Sequence, residues 1–381
     1  RLFIMSLRSL SLAARAGFFS NSYIWLLAAR IVQASGAGAI PALGMVFISR
    51  YVPVERRGAA MAIVMSGVAM GLGLGPVIGG MIVQFLGWHY LFLLTALTIL
   101  LVPFFSRFIP DEKGGSGDFD IPGAILAGAG VTALLLAMTQ RSLLALIAGS
   151  VAVLAFQWRI RRVASPFVLP ALFTNQPFLK LAAVGIGAYM CSFAALYLLP
   201  QVLVHHFKLS PLQAGLAIFP GSFLSMLVSR RVGKIIDRFG NDTIIRLLPI
   251  ALLASTVLFA VSGTDSYWII IAAYSIMSLA FTFLISAVSN EISRILHSTQ
   301  IGSGMGLFQL MQFFSGAFGV AATATTLAIF QPVAGEAATY SIVFWGMSFI
   351  SLLAVGFAAV YVSQKLGSGQ SQSPSLNSAP R

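Results

Sequence analysis

Apolar residues come along this chain in long blocks, separated by short polar joints. A helix that crosses the hydrocarbon core of a bilayer needs about 17–25 mostly apolar residues. Twelve blocks are long enough: 2–20, 24–47, 58–83, 89–106, 122–140, 142–158, 178–204, 212–229, 243–262, 267–288, 303–331 and 340–362. The pattern therefore predicts an all-α polytopic membrane protein with about twelve spans in this sequence. The longest joint, 107–121, is rich in Gly, Asp and Lys. Residues 367–381 are mostly Ser, Gly, Gln and Pro, a composition expected to stay disordered.

Composition strengthens this reading. Only 9% of the 381 residues are charged and 58% are hydrophobic, with a mean hydropathy of +0.92. Soluble domains carry roughly 25% charged residues, so the solvent for most of this surface is lipid. The net charge of +13 raises the question of a nucleic-acid partner, but no contiguous basic face on a soluble domain is available. The lysines and arginines instead mark topology. With Arg1 cytoplasmic, the cytoplasmic joints hold clusters such as Arg56-Arg57, Arg159 to Arg162 and Arg230-Arg231-Lys234. The opposite side holds only Arg141 and Lys208, as the positive-inside rule requires. Arg8, Arg15 and Arg30 lie in or beside spans.

Several stretches carry candidate chemistry. In the third block, Gly67, Gly71, Gly75 and Gly79 recur every four residues, a stripe that admits a second helix backbone. Pro76 is expected to bend that helix. Arg30 sits about 9 Å inside the second block; an intramembrane cation is either functional or a snorkelling anchor. Gln33, Gln201, Gln309 and Gln312 are intramembrane polar groups, and Gln309 and Gln312 share a helix face. They are candidates for substrate contact, with Tyr189 and Phe193 placed to stack on a flat molecule; interhelical bonding is the alternative. His205-His206 reads as a loop feature. Cys191 is the single cysteine, so neither an internal disulfide nor a metal cluster is expected. No nucleophile–base pair or phosphate loop is evident, so enzyme chemistry and cofactors are not expected.

The motifs as strings resemble a known family. Gly71, Gly75, Pro76, Gly79 and Gly80 match GxxxGPxxGG, the antiporter motif of drug:proton exporters of the major facilitator superfamily. Arg30, Gln33, Gly36 and Gly38 are similar to that family's RxxQGxGaA motif, with Ala34 in place of its first glycine. Gly233, Asp237, Arg238 and Gly240 resemble its gating loop, GxLaDrxGrk. The stretch from Ala29 to Gly80 is most similar to the tetracycline-exporting branch of fourteen-span antiporters.

The resemblance implies two pseudo-symmetric half-bundles around a central cavity. Residues 1–106 would be the remainder of the first half, spans three to six, with two spans preceding Arg1. Residues 107–121 would be a cytoplasmic loop, 122–158 two extra central spans, and 178–362 the second half. It further implies export of drugs or amphipathic molecules in exchange for protons across a bacterial cytoplasmic membrane, by a monomer. Arg30 would take part in proton coupling. The ten carboxylates all lie in joints or at span ends, and Glu291 is the one placed to serve as a coupling acid. Export of an endogenous metabolite such as a siderophore is one alternative, and a transport-dead membrane scaffold is another.

Overall fold

The computed structural model describes residues 2–52, 67, 70–71, 74–108, 120–163, 165–229, 231–297 and 300–370. Among them the chain is all-helical, without strands. Ten helices are long and apolar enough to cross a membrane. Two further helices complete the expected set: α1 (Leu2–Phe18), which has 17 residues, and α3, described over Leu74–Phe85. The ten begin with α2 (Tyr23–Tyr51) and α4 (Tyr90–Phe108), then α5 (Ile121–Gln140) and α6 (Leu143–Ile160). Next come α7 (Gln176–Gln201, continued as one π-turn to His206) and α8 (Pro211–Ser229). A short amphipathic helix, α9 (Val232–Phe239), precedes α10 (Asn241–Ser262) and α11 (Tyr267–Ile295). Last are α12 (Ile301–Ala334) and α13 (Glu336–Gln370). The first residues of the expected tail thus continue α13, and residues 371–381 lie outside the described ones.

Local chemistry sets the helix ends. Asp120, Ser142, Asn175 and Ser266 each accept a hydrogen bond from a backbone N–H of the first turn that follows, which meets donors that lipid cannot. Pro122 and Pro177 occupy first-turn positions where no N–H is needed. Gly240, at φ +78°, turns the chain between α9 and α10, a conformation that side chains resist. His205 and His206 belong to the π-turn rather than to a loop. His206 Nε2 donates to the Thr264 carbonyl at 2.9 Å and so ties that turn to the α10–α11 joint.

The chain forms two compact units. One comprises residues Arg1–Gly117 and Lys208–Arg230, the other Asp118–Phe207 and Arg231–Arg381. In the first, α1 packs along α2 and α4. A side chain at Gly36 would meet the Leu10 backbone nitrogen at 2.9 Å, so the two helices approach as closely as backbones allow. Phe3 packs edge-on against Phe47 and Phe105. Arg8 and Arg15 face outward.

In the second unit α7 is the axis. Its span is 61% buried, against at most 44% for any other described span, and α11, α12 and α13 pack around it. Small polar groups join the helices: Cys191 Sγ lies 3.3 Å from Ser351 Oγ, to which Thr256 donates at 3.5 Å. The α5–α6 hairpin is closed at one end by Asp120. Its carboxylate accepts from Arg159 Nε at 2.7 Å and from the Gly123 and Phe167 amides at 3.0 and 3.2 Å.

Burial alone would raise the pKa of Asp120. The Arg159 bond and the two amides outweigh it, so the carboxyl is held below its ordinary range. A depressed carboxylate contributes stability that is complete above the unfolded value, about 3.9, and is lost as pH falls through the folded value. Replacement of Asp120 by Asn is expected to lower the melting temperature in detergent at neutral pH. The gap between native and variant should close as the pH is lowered below about 4; thermal melts from neutral pH downward check both parts.

Candidate functional site

The antiporter-motif stretch acts through different glycines than its period of four predicts. Among the described residues, side chains added at Gly67, Gly71 or Gly75 would meet nothing within 4 Å, and one at Gly79 only Leu91 at 4.0 Å. Gly80 makes the close approach. A Cβ there would collide with the Pro211 carbonyl oxygen and lie 2.9 Å from its carbon. Reciprocally, a Cβ at Gly215 would collide with the Pro76 carbonyl oxygen and lie 2.8 Å from its carbon. Helices α3 and α8 therefore touch backbone to backbone, and Gln84 Oε1 accepts from the Leu212 amide at 3.2 Å to close the seam. The physical reason is register: the face turned toward α8 carries Pro76 and Gly80, one residue on from the stripe. Gly215 was missed, although it lies near the start of the eighth apolar block, 212–229.

Arg30 and Gln33 come together in the same unit. Arg30 Nη1 donates to Gln33 Oε1 at 3.2 Å, and its guanidinium lies 4.4 Å from the centre of the Phe92 ring. Gln33 is buried while Arg30 is exposed. No carboxylate ion-paired to Arg30 occurs among the described residues. A cleft of about 680 Å³ opens near the α1–α2 joint, lined by Ser20, Asn21, Ser22 and Trp25 among others; none of the expected site residues lines it.

Glu291 heads a polar cluster in the second unit. Its side chain is 2% exposed, at the last turns of α11. It accepts from Lys365 Nζ at 2.6 Å, Tyr361 OH at 2.8 Å and Asn241 Nδ2 at 2.8 Å, and Arg294 lies 3.8 Å away. Lys365 also reaches Asp242 at 2.7 Å, and Asn290 donates to Asn241 at 3.2 Å. One carboxylate thus joins the ends of α10, α11 and α13. Glu291 was legible as a span-end acid. Its three hydrogen-bond donors come from positions 50 or more residues away, and nothing local marks them.

The gating-loop residues fall on and beside α9. Gly233 and Asp237 are helical, and the Asp237 side chain lies outside the described ones. Arg238 stacks 5.5 Å from the Phe239 ring, and Gly240 supplies the turn already noted.

The amide and aromatic candidates share another part of that unit. Tyr189 stacks on Phe193 with ring centres 5.6 Å apart and meets Phe281 and Phe313 edge-on at 5.0 and 6.3 Å. Gln312 is buried beside Gly185, and Gln309 is half-buried on the same helix as Phe313. Gln201 does not join them; it bonds its own helix at the Tyr197 carbonyl.

Two sets of variants test this geometry. Gly80→Ala and Gly215→Ala are expected to destabilise by about 1–3 kcal/mol each through overpacking, and Gly75→Ala to cost little; thermal unfolding in detergent ranks them. In a double-mutant cycle, Glu291→Gln and Lys365→Met should couple by about 0.5–3 kcal/mol. Asp242→Asn should cost less than Glu291→Gln, because Asp242 is 37% exposed and half-solvated pairs are weak.

Comparison with known proteins agrees with the architecture. Residues 1–320 match the profile of the Major Facilitator Superfamily. The chain is 28% identical over 311 residues to riboflavin transporter RibZ of Clostridioides difficile, covering 79% of this chain and 68% of that one. It is 26% identical over 345 residues to a Cronobacter sakazakii protein named for multidrug resistance, MdtD, covering 84% and 71%. It is 27% identical over 350 residues to the multidrug resistance protein B homolog of Mycobacterium tuberculosis, covering 84% and 62%. Its fold is similar to that of the human organic anion transporter MFSD10 (TETRAN), with a TM-score of 0.63 at 18% identity over 93% of this chain and 76% of that one. A family match over most of the chain and a bundle of membrane-length helices lead to one conclusion: this chain belongs to the Major Facilitator Superfamily, as a multi-pass bacterial membrane transporter and not an enzyme.

Proposed function

We propose that the protein exports drugs or other amphipathic small molecules across the cytoplasmic membrane in exchange for protons. The observation that carries this reading is the α3–α8 seam, where Gly80 and Gly215 bring two backbones together within the antiporter-motif stretch. A seam without side chains lets helices rock while leaving no room for solutes or protons to leak through. The relatives named for multidrug resistance support the substrate class. Within the superfamily we place the chain in the fourteen-span group, near its tetracycline-exporting branch, on the likeness of Ala29 to Gly80. On that scheme residues 1–106 and 178–362 belong to the two half-bundles and 122–158 to the central pair of spans.

Arg30 is assigned to proton coupling. It is a cation within a span whose guanidinium is held by Gln33 and Phe92, so it is positioned to favour the charged form of an acid brought near it. Glu291 is the second candidate. Protonation there would remove the charge on which Lys365 and Arg294 converge and would loosen the junction of α10, α11 and α13. Gln33, Gln309 and Gln312 are assigned to the substrate path.

The similarity to a riboflavin transporter favours a second reading, transport of a vitamin-like metabolite. Competition of drugs and of riboflavin for uptake into everted vesicles separates the two. Replacement of Arg30 by Ala is expected to abolish drug uptake driven by a proton gradient in such vesicles, with the protein still inserted and folded. Uptake at the native rate would remove Arg30 from the mechanism.

A further inference from the structure

A buried hydrogen-bonding group without a partner costs about 1–3 kcal/mol, so nearly all such groups are bonded. Two described side chains are exceptions. Gln312 Nε2 on α12 and Ser192 Oγ on α7 have no partner, and their residues are 5% and 8% exposed. Gln312 faces α7 where that helix packs against α12, and Ser192 belongs to the same α7. A Cβ at Gly185 would stand 3.8 Å from Gln312 Nε2, which puts that amide at the level of Gly185. Ser192 follows seven residues later, on the same face of α7 and about 10 Å along its axis. Tyr189 falls between them, at the centre of the ring cluster with Phe193, Phe281 and Phe313.

The charge around this seam is as informative as its shape. Helix α12 carries no charged side chain, and α7 carries one, Lys180, which bonds Gln364. The acid of α11, Glu291, lies about 15 Å beyond Phe281 along the helix and is taken by Lys365. No described carboxylate at this seam would pair with a cation. The adjoining face of α12, with Gly302, Gly306, Gln309 and Phe313, lacks the large aliphatic side chains of a lipid-facing surface, and Phe313 is 45% exposed.

Resting on the transport reading above, we propose that the α7–α12 seam accepts a flat, uncharged or anionic molecule with a hydrogen-bonding group at each end. Its rings would lie against Tyr189 and Phe313. A carbonyl at one end would accept from Gln312 Nε2, and a polar group at the other would meet Ser192 Oγ. A planar cation without a carbonyl would find aromatic contact but no counter-charge and an unmet amide, so the seam discriminates against it.

The test is equilibrium binding to the full chain in lipid nanodiscs, without a proton gradient, read by fluorescence. The probes are a neutral amino-naphthalimide dye, flat with imide carbonyls at one end, and ethidium, a flat cation. The native protein is expected to bind the naphthalimide at least about tenfold more tightly than ethidium. Gln312→Leu and Ser192→Ala should each weaken naphthalimide binding by about tenfold and leave ethidium unchanged. Gln312→Glu should reverse the preference. Thermal melts confirm that each variant is folded; Gln312→Met, unbranched and similar in length, serves if the leucine variant is not. Native preference for ethidium, or naphthalimide affinity within about twofold of native in a folded Gln312 variant, overturns the proposal. Proton-driven export that persists beside an affinity blind to Gln312 overturns the seam alone. Binding that follows Gln312 in a protein without proton-driven export keeps the seam and overturns the export reading.

Discussion

Lipid tails are as apolar as leucine, so the hydrophobic effect that assembles soluble proteins cannot hold one membrane helix against another. Close shape and a few polar bonds have to do so. In this protein the constraint shows as backbone laid on backbone. Gly36 admits α1 against α2, and Gly80 and Gly215 admit α3 and α8 to each other. At such places a single methyl group is too large. That gives the contacts definite geometry without bulky side chains that would have to be moved aside when helices slide.

Polar bonds supply the second kind of adhesion, and they concentrate at helix ends. Asp120 ties the α5–α6 hairpin through Arg159 and two amides, and Glu291 ties three helices. Both carboxylates are buried and surrounded by donors. A buried carboxylate with one partner removed is costly, whereas one with every lone pair engaged is stable. The middle of the second unit is different. There the described polar groups are small hydroxyls, a thiol and amides, and two of them lack any bond. Binding chemistry fits such a place, because a scaffold without fixed charges leaves the incoming molecule to complete the hydrogen bonding.

The division between ends and middle also orders the candidate roles. A transporter needs a seal, a coupling group and a recognition surface, and these place opposing demands on rigidity. The α3–α8 seam is smooth and tight. The Arg30–Gln33 pair is a cation in an exposed setting, able to meet a partner. The seam around Tyr189 is aromatic and unsaturated in hydrogen bonds.

The amino-acid sequence by itself determined that membrane-length apolar helices follow one another along the chain, the all-helical class and the family. Those properties depend on segment length, the absence of charge and short local strings, all of which are local along the chain. It also marked Arg30 and Gln33, since a polar residue in an apolar run is conspicuous wherever the run packs, and Glu291 as an acid at the end of a span. It did not show that Gly80, and not the stripe ending at Gly79, makes the backbone contact. A shift of one residue turns a helix by about 100°, and only the partner helix decides which face is used. Nor did it show that Lys365, Tyr361 and Asn241 gather on Glu291, or that Phe281 and Phe313 join Tyr189. Those partners are 50 to more than 120 residues apart, and tertiary packing alone brings them within bonding distance.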